Sequence, residues 1–212
     1  MPILSVGTGR ALLGKAAGIS TTVDLPMLAD TFLDSSTPAG NYNTATTMQI
    51  GEWNGGVAIE RGIIQIDFSL VPSGKTFLEA ILKMTPTGDF SSNSRTMSAH
   101  RCLRDIVFSE ATHTRWKVGN NWATAGCSNS STDYDGAVAL GTETQPASPT
   151  LDSALSFTMT LDPAELQKLY DGTYTNNGIV LFVDTQVNDM IYYASTDHAT
   201  PSYWPVVTLT YV

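Results

Sequence analysis

A chain of 212 residues, 42% hydrophobic and only 15% charged, can bury one substantial core and fits a single β-sandwich domain. Its formal net charge of −9 repels phosphate, which argues against nucleic acid and anionic membrane surfaces as partners. No apolar run approaches the ~20 residues of a membrane-spanning helix, and no secretory signal stands at the start, so the expectation is a protein made inside a cell.

Residues 1–27 read as an arm ahead of the domain. The first twenty hold Gly7, Gly9, Gly14 and Gly18 among small side chains, with no strand alternation. Such a segment takes a fixed course only when something holds it, and a neighbouring subunit is the simplest holder. Arg10, Leu12, Leu13 and Lys15 are its candidate docking residues. The run from Gly9 to Gly14-Lys15 approaches a nucleotide-binding loop, but Ala16 replaces the Ser or Thr that would hold Mg²⁺, and no βαβ unit follows. The Gly7/Gly9 pair fails the dinucleotide fingerprint because Leu12 occupies its third glycine position.

The domain is expected over 28–212. Ile64, Ile66 and Phe68 alternate with Gln65 and Asp67, and Leu78, Ala80, Leu82 and Met84 face inward opposite Glu79 and Lys83. Met97–Val107 reads as a strand of mixed alternation, and 117–152 as long loops. Phe157, Met159 and Leu161 resume the alternation. Asp162 as N-cap, Pro163 in the first turn and Glu165 as the return half of a capping box predict one short helix, ended by Asp171-Gly172. Strands follow at Ile179–Val183, Met190–Ala194 and Val206–Val212. Many short strands between Gly, Pro, Asn and Ser turns make an antiparallel all-β sandwich.

Candidate chemistry is sparse. His100, His113 and His198 are scattered, and no nucleophile elbow or zinc-protease helix is present. Asp133 and Asp135 stand at alternate positions before Gly136, like the opening of a calcium loop, without its later ligands. Glu110, Asp133 and Asp135 form no defined carboxylate pair for glycoside hydrolysis. Cys102 and Cys127 fit either reduced core residues or a pair across neighbouring strands. Among Trp53, Trp116, Trp122 and Trp204, the pair Trp116/Trp122 flanks a polar Gly-Asn-Asn segment and is the candidate sugar-stacking platform; core filling is the other use of these rings. The chain is therefore expected to be non-enzymatic and to need no cofactor, with calcium as the one optional ion.

Several stretches resemble, in order, the DNRLRE-type domain, a jelly-roll sandwich related to carbohydrate-binding modules. They are Ala29-Asp-Thr-Phe-Leu-Asp34 with Pro38 and Asn41-Tyr42, then Arg61–Phe68 and Leu78–Met84. Ser109-Glu-Ala-Thr112 follows, leading through Trp116 to Asn121-Trp122 and Gly126, with Asn177–Leu181 and Pro205–Tyr211 at the end. His113 stands where that family usually has Trp. The resemblance implies a jelly roll with one short helix and a non-catalytic role. Such domains accompany secreted polysaccharide-degrading enzymes and cell-surface proteins, and also stand alone in virions of tailed phages. With an arm and no enzyme module, the expectation is a virion protein, either a capsid decoration (cement) protein or a head or tail fibre component. It would dock on copies of itself, on the major capsid protein or on another virion protein. The alternative is an extracellular module that binds polysaccharide.

Overall fold

The computed structural model describes residues 19–53, 58–89, 93–147, 149–183 and 189–212. In chain order these form β1 (Thr21–Asp34), β2 (Thr47–Trp53), β3 (Ala58–Ile66), β4 (Phe77–Met84), β5 (Pro86–Asp89), β6 (Arg95–Cys102), β7 (Arg115–Lys117) and β8 (Asn120–Asn121). There follow β9 (Tyr134–Gln145), β10 (Phe157–Leu161), α1 (Pro163–Tyr170), β11 (Ile179–Val183), β12 (Ile191–Ala194) and β13 (Val206–Tyr211). No helix among them is long and apolar enough to cross a membrane.

Two antiparallel layers carry the expected sandwich. One runs β10-β4-β13-β1 and the other β3-β11-β6-β9, the interleaved order of a jelly roll. β1 belongs to both. Thr21–Pro26 pairs with β13, and beyond a bulge at Leu28, Ala29–Asp34 pairs with β3. The bulge turns Leu28 outward, 59% exposed, while Met27 stays buried. One extra residue thus bends a single strand from one layer into the other. A small third sheet, β2-β12-β5, lies beside them. β2 enters it through Thr47–Ile50 and returns to β3 after Gly51. Gly51 has φ +127°, and a Cβ there would sit 2.7 Å from the Asp189 carbonyl oxygen, so the turn requires glycine.

Alternation places Ile64, Ile66, Leu82, Met84, Met159, Leu161, Val207 and Leu209 in one core between the layers. Ile63 and Val180 point the other way. With Leu33, Cys102, Trp122 and Cys127 they form a second core. Strands β3 and β11 are buried on both faces for this reason, which accounts for their unbroken apolar runs.

Four sequence expectations change. The sheet begins at Thr21 rather than after residue 27, so the last part of the expected arm is a paired strand. Leu78 is 50% exposed instead of inward, because a bulge opposite Thr210/Tyr211 lets Phe77 take the core position. The expected loops at 117–152 contain the twelve-residue strand β9. It is a sheet edge with Leu140 and Gln145 as its buried residues, so its sequence shows no apolar alternation. The capping box is half made. Asp162 accepts from the Ala164 and Glu165 N–H groups, at 2.8 and 3.3 Å, but the Glu165 carboxylate goes to Lys168 Nζ at 2.6 Å. The Asp162 N–H donates instead to Leu140 O, tying the helix start to β9. Leu166 and Leu169 then seal the main core.

Candidate functional site

The residues singled out from sequence do not converge. Arg10, Leu12, Leu13 and Lys15 lie outside the described residues. Trp122 is corrected from platform to core: it is 5% exposed, and its indole N–H donates to Thr112 O at 2.8 Å. Trp116 is half-buried against the second core, with Lys117 Nζ 4.4 Å from its ring centre. The two rings therefore present no joint surface to a sugar.

The calcium candidates are also occupied in the wrong sense. Asp133 is fully buried, and its oxygens accept from the N–H groups of Ala123, Thr124 and Asn129 and from Arg104 Nε at 2.9–3.2 Å. Asp135 faces Arg101 at 2.7 Å. Hydrogen-bond donors around a carboxylate are the opposite of the oxygen cage a cation needs. Among the described residues no group of three or more His, Cys, Asp and Glu is placed to hold a metal. Glu110 caps the N–H of Val118 at 2.8 Å. His100 stacks on Phe182, and His198 stacks on Tyr203. Cys102 and Cys127 are both buried and reduced, with neighbouring thiols in the second core.

A different set of residues meets in a cleft of about 320 Å³ where β1 ends against β3, β2 and β12. Asp34 and Glu60 are directly opposed across the β1–β3 ladder, Gln49 and Tyr192 across β2–β12, and all four line the cleft with Ser36 and Trp53. Ala58 and Met190 add apolar lining. Trp53 is 46% exposed.

The turn after β1 fixes Asp34. Its Oδ1 accepts from the Ser36 N–H and Oγ at 2.7 and 2.6 Å, and its Oδ2 from the Tyr42 hydroxyl at 3.0 Å. Tyr42 is itself set by stacking on Phe32, with ring centres 4.1 Å apart. Asn41 Nδ2 holds the 108–111 segment through the Phe108 and Ala111 carbonyls, at 2.8 and 2.7 Å. The Asn-Tyr turn read from sequence is thus the strut behind this cleft.

The electrostatics divide the two acids. Burial disfavours charge on Asp34, but the Ser36 and Tyr42 hydrogen bonds outweigh it and hold the carboxyl below the usual range. Glu60 is 4% exposed. Burial, and then the Asp34 charge beside it, push its carboxyl up to about 8. Its Oε2 is buried with no hydrogen-bond partner among the described residues. At neutral pH the pair therefore carries one negative charge and one proton. Burial and the same two acids also raise the Tyr192 phenol.

In the sequence Trp53 is one of four tryptophans, and no spacing marks Asp34, Gln49 and Glu60 as site residues. The available signal is Glu60 itself, an acid two residues before the largely apolar stretch Gly62–Ile66. No protein-family model matches the chain, and no curated protein matches it in sequence.

Proposed function

We propose that this chain is a non-enzymatic recognition module whose jelly roll binds carbohydrate through the Trp53 cleft. The observation that carries the reading is the combination of a half-exposed tryptophan with two carboxyl groups and an amide in one concave site. An aromatic face accepts the apolar side of a sugar ring, and carboxyl and amide groups exchange hydrogen bonds with its hydroxyls. The acid pair itself supports a binding role over hydrolysis. Glycosidases separate their two carboxyls by roughly 5 to 9.5 Å to flank a bond or admit water, whereas Asp34 and Glu60 lie side by side, close enough to share a proton. The resemblance to carbohydrate-binding jelly rolls points the same way. The test is binding of the full chain to a glycan array, repeated with Trp53→Ala.

A second reading concerns where the module works: in the virion of a tailed phage, as a decoration or fibre component. It is favoured by the way the chain enters the fold. The Gly-rich segment leads directly into Thr21 at the outer edge of one layer, and Ile19 just before it is exposed. A segment attached there can reach a neighbouring copy or a capsid protein without disturbing either core. Incorporation into particles with and without residues 1–18 tests it. The two readings are compatible, since display on a particle makes weak glycan contacts multivalent.

A further inference from the structure

The cleft is built for a positive charge that no described residue supplies. Among the described residues its lining holds two carboxyl groups and no Lys or Arg. None of the salt bridges among the described residues involves Asp34 or Glu60. Asp34 has its donors from Ser36 and Tyr42, but Glu60 Oε2 is buried and has no donor among the described residues. A buried carboxyl oxygen without a donor is costly, and an incoming N–H group removes that cost. Opposed acids on neighbouring strands repel when both are ionised, and a cation between them reverses the sign of that interaction.

We propose that the cleft selects a carbohydrate bearing a free amino group, with the ammonium seated on the Asp34–Glu60 pair and the sugar ring against Trp53. This deepens the carbohydrate reading and rests on it. A neutral hydroxyl can donate one hydrogen bond to Glu60, but an ammonium brings three donors and the compensating charge. Its positive charge is further attracted to the electron-rich face of an aromatic ring such as that of Trp53. The net charge of −9 draws cationic ligands and disfavours acidic polysaccharides.

The proton balance is defined. Free Glu60 is held protonated by burial and by Asp34. The other titratable groups around the pair among the described residues are Tyr42 and Tyr192, both raised by burial first, and His113, which burial lowers. When the ammonium arrives, Glu60 becomes the favoured carboxylate and its proton leaves to solvent. The ammonium keeps its own.

The experiment titrates the full chain with glucosamine oligomers, the matched N-acetylglucosamine oligomers and a neutral glucose oligomer by calorimetry. Working at pH 6 in two buffers of different ionisation enthalpy reports the protons released. The amine series is expected to bind about tenfold or more tightly than the acetylated series, a charge-assisted contact against a neutral one, with close to one proton released per site. Glu60→Gln should abolish the proton release and most of the preference. Trp53→Ala, checked for folding by circular dichroism, should weaken every sugar that binds. Equal or tighter binding of the acetylated or neutral oligomers overturns the amine preference and leaves the carbohydrate reading standing. Silence of all three series together with a blank glycan array overturns both. Binding of a lysine-rich peptide but of no sugar assigns the charge site to a protein partner and overturns the proposal.

Discussion

Glu60 holds a proton at neutral pH that the same residue releases in the unfolded chain. Its ordinary value is 4.5 and its folded value about 8, so between these limits the folded state binds the extra proton. Stability contributed at this position is full below pH 4.5, falls as pH rises through the window, and levels off above it. Glu60→Gln removes that slope while keeping the side chain's shape. Thermal melts should show the variant more stable than the parent by roughly 1–3 kcal/mol at pH 8.5 and nearly unchanged at pH 5. Asp133 is the opposite case, a buried charge that is fully matched. Asp133→Asn turns amide hydrogens toward backbone N–H groups and should cost roughly 2–4 kcal/mol in urea unfolding, with faster proteolysis at 123–131. A bound-calcium role would instead make the parent's stability fall with chelator. At this scale the sequence was least informative. Trp122 and Trp53 look alike in the chain, and what separates them is that one indole finds the Thr112 carbonyl inside the second core while the other reaches the cleft.

Elements with their own apolar rhythm were legible. Strands β4, β10 and β13 and the cap of α1 follow from alternation and from Asp162-Pro163, because each buries one face and its local chemistry agrees with its place, while β11 shows as a short unbroken apolar run. Strand β9 was hidden because an edge strand gains from backbone pairing with β6 and needs few buried side chains. The bulges at Leu28 and Leu78 were equally hidden, since each depends on the partner strand rather than on neighbours in sequence. These irregularities matter for the site. The bend at Leu28 carries Ala29–Asp34 into the second layer, and Asp34 reaches Glu60 through that register. The cleft could not be read from spacing, because it collects residues from β1, β2, β3 and β12.

At the scale of the whole molecule, the jelly roll has both ends of its described fold in one layer, since Thr21–Pro26 pairs with β13, and truncation tests the proposed docking role of the segment before it. The structure places the boundary for testing this. Removing residues 1–18 leaves every described strand intact and should keep the melting transition, while particle incorporation is lost if the segment docks. Removing 1–27 also deletes the Thr21–Pro26 ladder with β13 and the buried Leu25. Loss of one such buried leucine alone costs roughly 2–5 kcal/mol, so this longer truncation should unfold or melt far lower by circular dichroism. Normal incorporation of the 1–18 deletion would remove the segment from the assembly account.

Recognition of carbohydrate by the Trp53 cleft is tested most directly by a glycan-binding comparison of the parent chain with Trp53→Ala and Trp116→Ala, each verified as folded. The parent is expected to bind at least one glycan class, Trp53→Ala to lose it by about tenfold or more, and Trp116→Ala to retain it. Binding that survives Trp53→Ala and disappears with Trp116→Ala would contradict the assignment of the site, and a folded parent chain that binds no glycan would contradict the function itself.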